Sequence, residues 1–182
     1  TEPRVSKSFK TLRAEHSLVA QAFHSAHAAN ARRVLLVSAH TGDGKSHFAK
    51  CIQQHASVVT DEPFQVLSFA TLRPQDELDY GYVWVDGVAL LEGEGAAVLT
   101  PAVRASFDGV LLIARGMVTT RAELAECADR LRTLDMPVLG GVWNAVDCPP
   151  PAEAVRSFRE GLRTWPPQLP PGVFARQFRR SS

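Results

Sequence analysis

Apolar residues recur at helical spacing in three parts of the chain. The first run, Val5–Ala29, contains no Gly or Pro, and it predicts one long amphipathic helix. The second, Lys45–Ser57, follows a short loop that contains two glycines, and the third is Arg121–Leu134. These patterns predict helices that each turn one apolar side toward a core.

Five short apolar runs have the pattern of strands that are buried on both faces of a sheet. They lie at Arg33–Ala39, Phe64–Phe69, Tyr82–Val85, Gly109–Ala114 and Val138–Trp143. Because strands alternate with helices, the sequence predicts an α/β fold that is doubly wound, with a mostly parallel sheet and helices on both faces. The ligands of such a sheet bind at the carboxyl ends of its strands.

The length suits a single domain, because 182 residues with 45% hydrophobic content can bury a core of their own. Within 1–182 we distinguish the N-terminal helix at 5–29, the core at 32–147 and a C-terminal part at 148–182. A further helix is predicted at Ala152–Thr164. The proline-rich residues from Trp165 onward predict an extended tail that lies on the surface or on a partner.

Charge and cysteine content exclude several classes of protein. A formal net charge of +1 gives no overall field that would attract nucleic acid. Cys51, Cys127 and Cys148 lie far apart and without metal-ligand spacing, which favours free thiols in a reducing compartment. No apolar run reaches the roughly 18 residues of a membrane span. We therefore expect a soluble, cytoplasmic chain.

The segment AHTGDGKS, Ala39–Ser46, follows a predicted strand and precedes a predicted helix, which is the setting of a phosphate-binding loop. Gly42 and Gly44 allow a positive φ, so that successive N–H groups can surround an anion. Lys45 would reach the β- and γ-phosphates, and Ser46 would offer its hydroxyl to Mg²⁺. Ala39 stands where the common pattern has its first glycine. The alternative is a turn that binds nothing.

Metal binding or catalysis at this loop would need a further acidic or basic side chain nearby. Asp86 ends the run VWVD and is the candidate carboxylate for Mg²⁺, although it could instead be a turn residue before Gly87. His40 and His47 flank the loop and are candidates for nucleotide contact or pH sensing. For the histidines at positions 16, 24 and 27 we expect a solvated helix face rather than a metal site.

Four segments, in this order, resemble the bacterial tyrosine kinases that form the cytoplasmic domains of polysaccharide co-polymerases. They are SKSFKTLR at Ser6–Arg13, HTGDGKS at His40–Ser46, FDGVLLIARGMVTTRAEL at Phe107–Leu124 and PVLGGVWN at Pro137–Asn144. These kinases belong to the deviant Walker A class of P-loop ATPases. The resemblance implies a P-loop NTPase fold that is similar to the kinase domain.

The resemblance also implies ligands and partners. It implies ATP or ADP with Mg²⁺, an adenine contact from Asn144, and a location at the inner face of the plasma membrane. Its expected partners are a membrane-embedded polysaccharide co-polymerase or other export proteins, together with self-association. The candidate nucleotide-binding residues are Thr41, Gly42, Asp43, Gly44, Lys45, Ser46, His47 and Asn144. Ser46 and Asp86 are the candidate metal ligands, and Lys45 and Asp86 the candidate catalytic residues.

The departures from the kinase pattern concern catalysis. The family has a motif like LIDADLRRP, but this chain reads LSFATLRP at Leu67–Pro74, with Phe69 and Thr71 in place of the two aspartates. A positioned general base contributes roughly 10²–10⁴ in rate. Only Tyr80 and Tyr82 are present as tyrosines, so the family's C-terminal tyrosine cluster is missing from this sequence.

We therefore predict a degenerate nucleotide-binding domain, a pseudokinase that regulates exopolysaccharide synthesis, polymerisation or export. One alternative is an active ATPase or tyrosine autokinase in which Asp76, Glu77 or Asp79 replaces the missing acids. Another is a scaffold that binds no nucleotide and docks on a partner kinase or co-polymerase. A partitioning-type ATPase is disfavoured, because the loop lacks that group's additional lysine.

Overall fold

A computed structural model of the chain describes residues 5–72, 81–144 and 173–176, and the side chains of 15–72 and 81–144. The predicted helix at Ala152–Thr164 lies outside the described residues, as do the acids at positions 76, 77 and 79. Most of the proline-rich tail also lies outside them.

The described helices are α1 (Val5–Ala28), α2 (Lys45–Val59), α3 (Pro101–Arg104) and α4 (Arg121–Thr133). The strands are β1 (Arg33–Ser38), β2 (Phe64–Ser68), β3 (Tyr82–Ala89), β4 (Gly109–Arg115), β5 (Val138–Asn144) and β6 (Val173–Arg176). Every predicted helix and strand that falls on described residues is therefore confirmed in type.

The strands form one sheet in the order β2-β3-β1-β4-β5-β6, and each described pair of neighbours is parallel. The chain moves from β1 to one edge of the sheet at β2, then returns across β1 to reach β4 and β5. The change of direction lies at β1, with β3 on one side and β4 on the other. In open α/β sheets the crevice at such a position is where ligands bind.

Alternate residues of the strands face opposite sides of the sheet. Val34 and Leu36 of β1 belong to a core that α1 and α2 cover, whereas Leu35 and Val37 belong to a second core that α4 covers. Helices therefore cover both faces, which confirms the doubly wound α/β fold. Among the described residues, no helix combines the length and the apolar character that crossing a membrane requires.

Two boundaries differ from the sequence prediction by two residues or more. β3 continues past Val85 to Ala89, because its backbone keeps pairing with β1 as far as Ser38. Gly87 allows this close contact, since a Cβ there would lie 2.4 Å from the backbone oxygen of Leu36. Asp86 is thus inside a strand and is not the turn residue of the alternative reading. Helix α2 runs two residues longer than predicted, to Val59.

The edge of the sheet at β6 was not predicted as a strand. Val173–Arg176 was expected to be part of an extended tail on the surface, and it is extended, but it pairs in parallel with Gly141–Asn144 of β5. Four residues between prolines and arginines carry too little apolar pattern to indicate a strand. The pairing comes from the free edge that β5 offers.

Candidate functional site

The glycine-containing loop lies where β1 ends and α2 begins, at the carboxyl edge of the sheet. Gly42 has a φ of 89° and Gly44 a φ of 105°, values that favour glycine. Gly44 is the N-cap of α2 and makes no side-chain capping hydrogen bond. Because the first N–H groups of a helix have no acceptor within the helix, α2 offers donors toward this loop.

Close packing fixes the loop against β5. A Cβ on Gly44 would lie 2.1 Å from Nδ2 of Asn144, so only glycine fits there. The same Nδ2 donates to the backbone oxygen of Asp43 at 2.9 Å. Asn144 is 5% exposed, and among the described residues its Oδ1 has no hydrogen-bond partner. An unsatisfied buried acceptor beside the loop is therefore available to a donor from a ligand.

Lys45 is the buried cation of the site. It is 8% exposed, and its Nζ donates to Oγ of Ser38 at 2.9 Å. Burial lowers the pKa of Lys45, and the charge of Asp86 and then that of Asp43 act against this shift. Among the described side chains, no carboxylate forms an ion pair with Lys45. The Lys45 ammonium therefore hydrogen-bonds to the neutral Ser38 hydroxyl, while the nearby acids act on it only through their charge.

Asp86, on β3, lies close enough to Lys45 for its charge to act on the ammonium. It is half-buried in β3, opposite Leu36 of β1 and Ser68 of β2. The structure thus brings together the two residues that the sequence predicted as catalytic. Ser46, the predicted partner of Asp86 as a metal ligand, is exposed in the first turn of α2.

Asp43 closes the loop from within. Its side chain is almost fully buried, at 1% exposed, and its Oδ2 accepts the backbone N–H of His40 at 2.8 Å. Burial raises the pKa of Asp43, and the hydrogen bond from His40 opposes this shift. Asp43 was predicted to bind nucleotide, but its carboxylate holds the loop in shape. Its backbone remains in the candidate binding set.

Two glutamates that the sequence reasoning missed hold His40. Nδ1 of His40 lies 3.0 Å from Oε1 of Glu92, and Nε2 lies 2.9 Å from Oε1 of Glu123. The hydrogen bond with Glu123 raises the pKa of His40 most. The other oxygen of Glu92 accepts the N–H of Thr41 at 2.8 Å. The start of the loop is thereby tied to two other elements.

Glu123 has a second role, in the N-terminal cap of α4. Its side chain accepts from the backbone N–H of Thr120, and its own N–H donates to the Thr120 hydroxyl, forming a capping box. These bonds, together with His40, lower the pKa of Glu123 to about 2. The spacing of Thr120 and Glu123 was a readable signal for the cap. For Glu92, in the loop after β3, the sequence offers no signal.

Phe69 and Thr71 occupy the stretch where the resemblance implies two aspartates. Phe69 is half-buried and packs against the core beneath α4. The hydroxyl of Thr71 donates to the backbone oxygen of Ser68 at 2.9 Å, and the side chain is exposed. Neither residue offers a carboxylate or a general base to the loop.

The remaining histidines lie on α1 and α2. His16 was expected on a solvated face, but this is wrong: its ring packs edge-on against His55 of α2, with ring centroids 4.4 Å apart. His27 is exposed and lies 3.3 Å from the Tyr82 hydroxyl. His47, predicted to bind nucleotide, is exposed near the contact of α2 with α1. His24 is exposed, as expected.

The site is richer in acids than in bases. Asp43, Asp86, Glu92 and Glu123 surround Lys45 and His40. A phosphate ligand would enter this field only with enough positive charge to balance it. An Mg²⁺ ion bound together with the phosphate would supply this positive charge. Ser46 and Asp86 offer the hard oxygen ligands that Mg²⁺ prefers.

Comparison with protein-family models and with curated proteins finds no match for the chain. The fold itself is plain: the chain is an α/β protein with a parallel sheet. The resemblance to bacterial tyrosine kinases stays a prediction, and the function must be argued from the site.

Proposed function

We propose that the chain is a P-loop nucleotide-binding domain that holds the phosphates of ATP or ADP and transfers a phosphoryl group poorly, if at all. The observation that carries the proposal is Lys45. It is a buried ammonium at the start of α2, beside a glycine-dependent loop, and its hydrogen-bond partner is a neutral hydroxyl. Burial of a charge is costly unless an opposite charge compensates it.

A phosphate group would supply that compensation. The loop offers backbone N–H groups at the first turn of α2, and Gly42 and Gly44 let the backbone approach an anion closely. For Gly42 no atom lies within 4 Å of the position of an added Cβ, so this side of the loop is open. Lys45 would exchange the Ser38 hydroxyl for phosphate oxygens, or keep both contacts.

We expect Mg²⁺ to bind at the same site. Ser46 would offer its hydroxyl and Asp86 its carboxylate, and the ion would offset the acidic surroundings of a triphosphate. Bound there, Mg²⁺ would neutralise charge on the phosphates. We therefore expect nucleotide binding to be stronger with Mg²⁺ than without it.

We expect phosphoryl transfer to be slow, because most of the acids near the loop have other roles. Phe69 and Thr71 provide no base, while Glu92 and Glu123 are engaged by Thr41, His40 and the cap of α4. Among the described residues, Asp86 would then have to serve both the metal and any proton transfer. Loss of a positioned base lowers a rate by roughly 10²–10⁴. Binding without efficient turnover is the expected result, as in a pseudokinase.

Calorimetric titration of ATP and ADP, with and without Mg²⁺, tests this proposal. In Lys45→Ala the affinity should fall at least about tenfold, because a charge-assisted contact is lost. Lys50→Ala is the matched control, since Lys50 is exposed on the same helix. Steady phosphate release that depends on Lys45 would instead establish an active ATPase or tyrosine kinase.

A scaffold without nucleotide is the second candidate, and one observation favours it. The hydrogen-bonding groups at the start of the loop already have partners within the chain. Glu92 accepts from the N–H of Thr41, and the His40 ring is hydrogen-bonded to Glu92 and Glu123. If no nucleotide binds under any condition, this candidate replaces the first. A role in exopolysaccharide synthesis or export, with a membrane-embedded co-polymerase as partner, is proposed from the sequence resemblance alone.

A further inference from the structure

A cluster of metal-binding side chains lies between α1 and α2. Glu15 of α1 and His47 and Cys51 of α2 each place a ligand atom within 4.8 Å of the other two. Among the described residues, this is the group of three such side chains that is close enough to hold one metal ion. It combines a carboxylate, an imidazole and a thiol from two helices.

The spacing along α2 explains how the group forms. His47, Cys51 and His55 are four residues apart, so they follow one another along the same side of the helix. That side faces α1, where Cys51 and His55 are buried against Glu15 and His16. The three α2 side chains therefore line the contact between the helices.

His55 holds the carboxylate in place from behind. Its Nε2 lies 3.2 Å from Oε2 of Glu15, and its Nδ1 lies 3.0 Å from Nε2 of His16. A carboxylate that ligates a metal is commonly fixed by a hydrogen bond of this kind. One oxygen of Glu15 thus has a partner in His55, and the other can serve a metal.

We propose that Glu15, His47 and Cys51 bind one Zn²⁺ ion, with His55 orienting Glu15 and a water completing the coordination. Thiolate, imidazole and carboxylate are the ligands that Zn²⁺ takes in proteins. Mg²⁺ prefers oxygen ligands and is not expected here. The proposal concerns a site separate from the nucleotide loop and does not depend on nucleotide binding.

The three ligand atoms would have to move only slightly closer together in order to bind Zn²⁺. Ligand atoms about 2.0–2.3 Å from Zn²⁺ in a tetrahedron lie roughly 3.3–3.6 Å from each other. The present separations, up to 4.8 Å, exceed this by little more than 1 Å. His47 is exposed and lies one helical turn before the buried Cys51 on α2, so a change in its side-chain torsion angles can shorten their separation.

The Cys51 thiol is buried beside Glu15. Burial, and next the charge of Glu15, raise the pKa of Cys51 to about 12. A divalent cation displaces the thiol proton and supplies the positive charge that this buried site lacks. Burial also raises the pKa of Cys127 to about 12, but this thiol belongs to α4 and packs in the second core, outside the cluster.

A metal here would join the N-terminal helix to the core. Glu15 and His47 are far apart in sequence, and His47 directly follows Ser46 of the loop. A ligand that binds only the folded chain stabilises it by mass action. We therefore expect Zn²⁺ to raise the melting temperature and to protect α1 from hydrogen exchange.

Metal binding is tested on metal-free protein with Zn²⁺ by calorimetry and with Co²⁺ by absorption. One ion per chain is expected, and a thiolate-to-Co²⁺ charge-transfer band in the near ultraviolet should appear. The band should vanish in Cys51→Ala and persist in Cys127→Ala, the control with an equally buried thiol. In His47→Ala the Zn²⁺ affinity should fall by more than the roughly 10–100-fold that loss of an outer partner costs.

The exposed position of His47 keeps the test decisive even if Cys51→Ala fails to fold. His55→Gln should weaken Zn²⁺ binding by roughly 10–100-fold, as loss of an outer partner does. His24→Ala, which changes an exposed histidine of α1, should leave it unchanged. Binding that is absent, or that is equal in wild type and His47→Ala, would overturn the proposal.

Discussion

The side-chain amide of Asn144, at the end of β5, donates to the backbone oxygen of Asp43, 101 residues earlier in the chain, at 2.9 Å. The same amide nitrogen occupies the space where any side chain at position 44 would begin. The shape of the loop after β1 therefore depends on β5, which β4 separates from β1 in the sheet. Gly44 and Gly42 therefore differ in how well each position can accept a side chain.

We expect Gly44→Ala to destabilise the fold more than Gly42→Ala. Both residues have a positive φ, which costs an alanine roughly 1–2 kcal/mol. Only the alanine at position 44 would also clash with Asn144, and overpacking adds roughly 1–3 kcal/mol. Urea unfolding of the two variants measures the difference.

A double variant separates the clash from the backbone strain. In Gly44→Ala with Asn144→Ala, the clashing amide is gone, so the combined loss should be smaller than the sum of the single losses. Additive losses would mean that Asn144 moves aside freely and that position 44 is limited by its φ alone.

His40 should make stability depend on pH. Its folded-state pKa lies above the ordinary 6.5, so its ion pairs contribute fully below pH 6.5 and are lost as the pH rises through the folded pKa. His40→Gln should therefore cost more free energy of unfolding at about pH 5.5 than at about pH 8.5. The charged groups that face His40 are Glu123, Glu92 and Asp43.

Two comparisons check the origin of this pH effect. His24→Gln removes an exposed histidine and corrects for the general loss of one titrating group. Glu123→Gln keeps a residue that can complete the capping box but removes the charge at Nε2 of His40. A pH trend that survives Glu123→Gln unchanged would refute the ion-pair explanation.

The cap of α4 should have its own measurable cost. Thr120→Ala removes the hydroxyl that accepts the N–H of Glu123, and loss of such a cap typically costs about 1 kcal/mol. Thr133→Ala, a change of an exposed threonine at the end of the same helix, is the control. Thermal melts at neutral pH compare the two, and equal melting temperatures would argue against a stabilising capping box.

Helix α1 should depend on an aromatic contact with the sheet. The Phe23 ring packs against the rings of Tyr82 and Trp84, with centroids 5.0 Å apart in both pairs. Phe23→Ala should cost roughly 3–5 kcal/mol of unfolding free energy, as other buried aromatic truncations do. Val58→Ala, at a residue 69% exposed, should change stability by less than about 0.5 kcal/mol. A small loss in Phe23→Ala would mean that α1 is not part of the cooperative unit.

Much of the fold could be predicted because its signals are local. The apolar run at Gly109–Ala114 and the periodic positions of Arg121–Leu134 each carry one element. Strand β6 could not be predicted in this way, because Val173–Arg176 is ordered in the sheet by the edge of β5. Similarly, β3 extends to Ala89 because β1 lies beside it.

The residues of the candidate site show the same difference between local and long-range signals. Lys45 and the glycines of the loop were predicted from one continuous segment. Glu92 and Glu123 were missed as partners of His40, since 52 and 83 residues separate them from it. The sequence spacing of Cys51 with the other cysteines suggested no metal site. The ligands of the proposed site come from histidine and glutamate instead.

By itself, the sequence determined most of the element types, the doubly wound α/β class and the position of the glycine-containing loop, since these depend on periodicity and on residues adjacent in the chain. Only the tertiary structure decided that Asn144 holds the loop, and that Glu15, His47 and Cys51 meet between two helices. The physical reason is that strand order and helix packing bring distant residues together, and no local pattern records which ones will meet.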